Sequence, residues 1–386
     1  MRNIVLAIIF AFVFFGCTPK QVVQLKMPGQ QQQQQIQTQP KVVDEDKTTV
    51  VEEFQPIEVF ETDVKEQIMD NSGSSLDMQN IDMTKAKIKI AFVYPTLLDK
   101  YARTAINTML GYLTYQESDH NLMILSTSDE SLNSIKTAFS KLEDANISKV
   151  IALYSPKALD SLNQVANGNF EVYLPLIEKN DSIDNDNLIF GSISYEDQLK
   201  KLSYQSNGQN VIFSQNTFIS RNIKNAYDNV VGNSSYEREI GNSEKNFNNI
   251  VKSSRLGGSS FFINLDLMKT AMVLSQLSAN NINPSNILLT QNNFDTRILT
   301  LTQDHDRQKA LFANSIDKVD SKLTDIVSNF GGNIEYEWVD YSVLVGTNYL
   351  YYGGNSKVVP TRVVNNKVEY EPKLYKAAAY GFVEVR

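Results

Sequence analysis

From residue 86 onward, apolar and polar positions follow two alternating periods. Ile88–Tyr94 is a compact apolar run that predicts a strand, and Leu97–Tyr115 places Ala102, Ala105, Ile106, Met109, Leu110 and Leu113 at helical spacing. The cycle recurs with strand Leu122–Ser126 and helix Leu132–Leu142, strand Val150–Tyr154 and helix Pro156–Ala166, then strand Val172–Leu176. A second run begins after the polar, glycine-containing stretch Gln205–Gln209. It pairs strand Asn210–Ser214 with helix Phe218–Val230, strand Ser260–Asn264 with helix Leu267–Ala279, and strand Asn286–Thr290 with helix Phe294–Thr302. Strands apolar on both faces and separated by single helices specify parallel sheets covered on both sides. The expected fold class is therefore α/β with two lobes, an N-terminal lobe over 86–205 and a C-terminal lobe over 206–315. About 300 folded residues also exceed what one core normally holds.

Residues 316–386 read as a returning segment. Val339–Tyr352 is aromatic and amphipathic and predicts a helix, stopped by Gly353-Gly354-Asn355. Val358–Val364 and Lys367–Tyr370 flank Asn365-Asn366, the pattern of a hairpin with a two-residue turn.

The N-terminal part has no such periodicity. Met1-Arg2-Asn3 precedes an apolar run from Ile4 to Phe15 and then Gly16-Cys17. The run is too short for a spanning helix, which needs about 20 apolar residues. It reads as a signal peptide, Met1–Gly16. Cleavage at a small residue before a cysteine resembles the bacterial lipoprotein signal, which implies acylation (palmitate included) of Cys17. That is the only cysteine in the chain, so no internal disulfide can form. Thr18 follows where the known inner-membrane retention signal has Asp, which points to the outer membrane. Residues 17–85, with six consecutive glutamines at Gln30–Gln35 and acidic text such as Asp44-Glu45-Asp46, bury too little apolar area to order and read as a disordered, lipid-anchored linker. Its root-mean-square span is about 45 Å. The island Val50–Phe60 within it reads as local apolar content or as a short docking segment.

A net charge of −8 and the lack of a Lys/Arg cluster argue against nucleic acid as a partner. The chain has two histidines, His120 and His305, neither at metal-ligand spacing with a second ligand. Asp304-His305-Asp306-Arg307 reads as a polar turn, with a metal or catalytic cluster as the alternative. No G-x-S-x-G elbow, H-E-x-x-H motif, P-loop or spaced carboxylate pair is present, so the expectation is a non-enzymatic protein with no cofactor and no metal. Asp144-Ala145-Asn146-Ile147-Ser148 matches the acidic-extended sequon for periplasmic N-glycosylation, with Asn146 as acceptor.

The segment order is similar to the type I periplasmic-binding-protein fold. The telling pieces are Ile90–Pro95 with the helix ending Leu110-Gly111-Tyr112, Tyr154-Ser155-Pro156, and Leu289–Phe294. Within that fold the chain resembles lipoproteins grouped with the outer-membrane activators of penicillin-binding proteins. It departs from the amino-acid receptors at Tyr94-Pro95-Thr96-Leu97-Leu98, a largely apolar turn where those receptors carry glycine or hydroxyl groups.

In open α/β sheets, ligands settle beyond the carboxyl ends of the strands. That rule selects Tyr94, Pro95, Thr96, Ser155 and Pro156 on one lobe and Gln215, Asn216, Thr217, Asn264, Asp266, Gln291, Asn292 and Asn293 on the other. These neutral hydrogen-bonding groups suit a small polar ligand. The same residue types are also favoured as helix caps. Two functions follow as expectations. One is a periplasmic-facing lipoprotein that regulates or scaffolds an envelope protein such as a peptidoglycan synthase. The other is a receptor for an amino acid-, peptide- or sugar-like ligand.

Overall fold

The computed structural model describes residues 88–179, 182–353, 358–359 and 362–385. The expected signal peptide, Cys17 and the expected linker lie outside them. Two sheets of seven strands each form two lobes. The first is built on β1 (Ile88–Pro95), whose residues Ile90–Val93 are fully buried because both faces are covered. β1 runs parallel to β2 (His120–Thr127) and to β3 (Lys149–Ala152), followed outward by β4 (Glu171–Leu174) and β5 (Leu188–Phe190). The second sheet repeats this order with β6 (Asn210–Gln215) between β7 (Tyr236–Ile240) and β8 (Ser260–Asn264), then β9 (Asn286–Leu289) and β10 (Ala310–Asn314).

Helices alternate with these strands. In the first lobe α1 (Asp99–Tyr115), α2 (Leu132–Asp144) and α3 (Leu159–Val165) follow β1, β2 and β3. α1 buries Ala102, Ala105, Met109 and Leu113, the stripe its spacing predicts. Its first residues form a 3₁₀ turn, Thr96–Leu98, so the helix proper starts after the expected Leu97. Pro156–Ala158 is likewise a 3₁₀ turn before α3.

Helix α4 (Tyr195–Ser203) corrects the expected lobe boundary at 205. Its Leu199 and Leu202 are buried with Ile212, Ile223 and Phe262 of the second lobe, so the chain changes lobes between Phe190 and Tyr195. α5 (Phe218–Val230), the single turn α6 (Phe247–Ile250) and α7 (Leu267–Ala279) follow. The helix expected over Phe294–Thr302 divides into a 3₁₀ turn, Gln291–Asn293, and the short α8 (Arg297–Leu301). Phe294 breaks it: its backbone leaves the helical region at ψ 79°, and its ring stacks on Phe382 with centroids 4.2 Å apart.

The chain then returns to the first lobe. α9 (Ser321–Asn329) packs on α1, and α10 (Trp338–Tyr352) packs on α1, β3 and β4. Gly353 ends α10 in the left-handed region at φ 62°, the expected stop. The hairpin β11 (Arg362–Val364) and β12 (Lys367–Glu369) is shorter than the sequence suggested, and its turn residues Asn365 and Asn366 have φ of 49° and 62°, as a type I′ turn requires. It adds to the first sheet beside β5. A final hairpin, β13 (Lys373–Ala378) and β14 (Gly381–Val385), adds antiparallel to β10 in the second sheet. Three segments therefore join the lobes: β5 to α4, β10 to α9, and β12 to β13. The C-terminal residues 316–385 serve both lobes.

Candidate functional site

Both sheets have the doubly wound order β2-β1-β3-β4-β5 and β7-β6-β8-β9-β10. The order reverses at β1/β3 and at β6/β8, which is where neighbouring connections leave in opposite directions and open a crevice. The candidate residues lie along these strand ends.

On the first lobe, Pro95 is buried and Thr96 is exposed. The Tyr94 hydroxyl donates to Asp99 Oδ1 at 3.3 Å, and Asp99 also receives Arg103 Nε at 2.8 Å. Burial, then the Asp99 charge, pushes the Tyr94 hydroxyl up from its ordinary pKa. Thr96 Oγ1 donates to the Ser128 carbonyl at 3.2 Å. Ser155 gives both its backbone N–H and its hydroxyl to the Glu130 carboxylate, each at 2.7 Å, and accepts from Lys157 N as the cap of the turn that begins with exposed Pro156. Glu130 thus ties the loop after β2 to the loop after β3. Sequence reading missed it because it stands in a polar loop with no motif around it.

On the second lobe, Thr217 caps α5 by accepting from Ser220 N, and Asp266 caps α7 by accepting from Lys269 N at 2.9 Å. The Lys269 ammonium reaches both Asp266 Oδ2 and Gln215 Oε1 at 2.9 Å. Exposed Asn216 receives the Arg221 guanidinium. Asn264 Nδ2 donates to the Ser220 carbonyl at 2.6 Å, while Asn292 and Asn293 each donate to the Leu265 carbonyl at 3.1 Å. Gln291 accepts from Ser315 N at 2.8 Å, and its own N–H donates to Gln198 Oε1. Most of the polar candidates therefore brace their own lobe, as caps and loop ties. Three buried atoms of these candidates, Asn264 Oδ1, Gln291 Nε2 and Asn293 Oδ1, and a fourth on neighbouring Thr290, Oγ1, are left without a hydrogen-bond partner among the described residues.

The rims also present apolar side chains to solvent. The first turns after β1, β6 and β8 expose Leu97 (78 %), Phe218 (50 %) and Met268 (53 %), with Tyr101, Ile219 and Met272 also exposed. Periodicity could not mark these side chains, since each continues an apolar helix stripe in the sequence.

Residues 304–307 form the polar turn. Arg307 binds Asp304 and the Thr302 carbonyl, and His305 Nε2 lies 3.2 Å from Asp306. Burial raises the Asp306 pKa, but hydrogen bonds from Ser278, Gln303 N and Ser275 together hold it below the usual carboxylate value. Among the described residues no group of three His, Cys, Asp or Glu side chains could hold a metal, and no helix is long and apolar enough to cross a membrane. Asn146 is exposed in the turn between α2 and β3, with φ of 54°.

No protein-family model and no curated protein matches the chain. Solved structures do. A protein of Rhodospirillum rubrum described as a branched-chain amino acid ABC transporter aligns with a TM-score of 0.60 and 9 % identity, over 78 % of this chain and all (100 %) of its own. The chain has a type I periplasmic-binding-protein-like fold. LivJ of Streptococcus pneumoniae, a branched-chain amino acid transporter substrate-binding protein solved with isoleucine, shares that fold at a TM-score of 0.54 and 10 % identity, over 78 % of this chain and 100 % of LivJ. So does full-length LpoA of Haemophilus influenzae, at 0.52 and 13 %, over 78 % of this chain and 59 % of LpoA. The LpoA C-domain, described as a regulator of PBP1A, gives 0.50 at 13 % identity, over 78 % of this chain and 100 % of that domain. Identities this low establish a shared fold and leave function to the site itself.

Proposed function

We propose that the chain is a non-enzymatic lipoprotein, acylated at Cys17 and anchored in the outer membrane, whose two-lobed domain stands in the periplasm and regulates or scaffolds an envelope protein such as a peptidoglycan synthase. The observation that carries this reading is the state of the rims. Most of their polar side chains are committed to caps and loop ties, and their exposed side chains include Leu97, Phe218 and Met268, of the kind that protein surfaces bury. The linker read from the sequence supplies reach away from the membrane. The regulator LpoA shares the fold. The test is crosslinking of the anchored protein in intact cells with identification of what it holds. Specific capture of an envelope protein supports the reading; its absence, in cells where the protein is abundant, sinks it.

A second reading, a receptor for a small polar ligand, draws on the four unpartnered buried atoms at the ends of β8 and β9. Buried polar groups without partners are costly, so a ligand or ordered waters would complete them. A rise in melting temperature with an amino acid, a short peptide or a sugar, abolished by Asn264→Ala, would support this reading. No rise with any of them would remove it.

A further inference from the structure

Helix α2 ends in a turn closed by its own backbone. Ala145 N donates to the Lys141 carbonyl at 3.1 Å, Asn146 N to that of Glu143 at 3.0 Å and Ile147 N to that of Leu142 at 2.9 Å. Asn146 is left-handed at φ 54°, and Ile147, 3 % exposed, is buried in the same core cluster as Leu142. These are the bonds and the apolar contact of a Schellman stop. Helix α7 ends in the same way. Asn281 also has φ 54°, and Asn281 N and Ile282 N donate to the Ser278 and Leu277 carbonyls at 3.0 and 2.9 Å.

The two turns differ in their flanks. The α7 turn reads Ala279-Asn280-Asn281-Ile282-Asn283, so the geometry asks only for an asparagine followed by an apolar residue. The α2 turn reads Asp144-Ala145-Asn146-Ile147-Ser148, with a carboxylate two positions before the asparagine and a hydroxyl two positions after it. The carboxylate closes a helix at the end where the backbone dipole disfavours negative charge. Asp144, Asn146 and Ser148 are all exposed, and none of their side chains has a hydrogen bond or ion pair among the described residues. The residue held in the core is Ile147, the one position of the Asn-x-Ser pattern whose identity is open.

We infer that Asn146 is N-glycosylated in the periplasm, from an oligosaccharide carried on a polyprenyl diphosphate. Such modification rests on the periplasmic placement proposed above. The Asn146 amide nitrogen bonds to C1 of the first sugar as the bond from C1 to the diphosphate oxygen breaks; polyprenyl diphosphate leaves, and the amide gives up one proton. Because the side chain is exposed and unbonded, the sugar displaces nothing in the fold. The turn leads into the amino end of β3, opposite the carboxyl-end rims, so a glycan there leaves the rims open to a partner.

The test is peptide mapping by mass spectrometry of the full-length protein purified from the cells that make it. The expected result is a glycan mass on the peptide containing Asn146, and loss of that mass in Asn146→Gln and in Asp144→Ala. Asp144→Ala keeps the left-handed asparagine, so it reports recognition independently of how well Asn146→Gln folds. Ser148→Thr, which keeps the hydroxyl, should retain the glycan. Exposed Asn233, in Asn233-Ser234-Ser235 with Val231 in place of the acid, should stay unmodified. Asn180, in the acidic pattern Glu178-Lys179-Asn180-Asp181-Ser182, lies outside the described residues and is read as a separate peptide. An unmodified Asn146 in protein that has lost Met1–Gly16 overturns the site and leaves export standing. An unmodified Asn146 in protein that retains Met1–Gly16 overturns both. A glycan that persists in Asp144→Ala, or that occupies Asn233 equally, overturns the acid-dependent assignment.

Discussion

The hydroxyls of Tyr173 and Tyr370 lie 3.0 Å apart, and Tyr370 also donates to the Gly191 carbonyl at 3.0 Å. Ser342 of α10 donates to the same carbonyl at 2.8 Å. Gly191 opens the first interlobe segment and Tyr370 opens the last, so this buried network joins two of the three segments at the point where they leave the first lobe. Burial among tyrosines drives the Tyr370 hydroxyl well above its ordinary pKa and keeps it neutral.

Replacing Tyr370 with Phe removes both bonds and leaves Ser342 in place. Stability in denaturant should fall by about 1–3 kcal/mol, the usual net value of two such bonds. Backbone amides at 191–194 should exchange faster while those of β6 and β8 do not change. Unaltered exchange at 191–194 would mean that the network does not restrain the interlobe segments.

Gly346 lets the Tyr173 ring lie against α10: a Cβ there would stand 2.3 Å from Tyr173 Cδ1. Because that ring is fully buried and cannot swing away, Gly346→Ala should destabilise the domain by about 1–3 kcal/mol, the range for overpacking a core. Gly353→Ala, which meets no atom within 4 Å but sits at φ 62°, should cost only the smaller backbone strain of about 1 kcal/mol. Equal losses in the two variants, measured by chemical denaturation, would contradict this packing account.

Asp340 is 1 % exposed; its Oδ2 accepts the Asn333 N–H at 2.7 Å, and Oδ1 has no hydrogen-bond partner among the described residues. Burial pushes its carboxyl up to about 6, against the pull of those N–H and Thr104 interactions. A carboxyl with a raised folded-state pKa favours folding in its protonated form. Stability from this group is therefore intact below about pH 4 and is lost as pH rises from there through about 6, a penalty of up to about 3 kcal/mol. Asp340→Asn keeps an acceptor for Asn333 and cannot ionise. It should raise stability at pH 7.5 and raise it much less at pH 4.5, as read by melting curves at the two values. A variant equally destabilised at both pH values would show that the carboxylate is not the source of the penalty.

The reading of the rim residues as caps separates them from any ligand role. Thr217→Ala and Asp266→Ala should each cost about 1 kcal/mol, the usual worth of an N-cap. Neither should alter crosslinked capture of a partner in intact cells. Capture lost at unchanged stability would return these side chains to the list of contacts.

The parallel β-α repeats were legible because their strands are apolar on both faces and their helices carry clean stripes; Phe218–Val230 and Leu267–Ala279 have the boundaries that periodicity gave. Several elements that escaped lack that signal, while β10, α4 and α9 escaped although they carry buried apolar residues. β5 is three residues long, β7 is the charged edge sequence Tyr236-Glu237-Arg238-Glu239-Ile240, and β13 and β14 follow the hairpin turn in a tail already assigned as returning chain. At the rims, local sequence identified residues that end strands. It could not show that Glu130 and Gln198 would occupy their hydrogen-bonding groups, because those pairings span 25 and 93 positions.

The second sheet is finished by the last residues of the chain, since β13 pairs with β10 only after α9, α10 and the β11–β12 hairpin have been laid into the first lobe. Neither lobe is a continuous stretch of polypeptide. For a chain made from its N-terminus, β10 stays an open edge until the final hairpin arrives, and parallel and edge strands left open invite mispairing. A translation stop between Asn314 and Glu369 would therefore leave both lobes incomplete at once, whereas one after Tyr370 would spare the first sheet and leave β10 without its antiparallel neighbour.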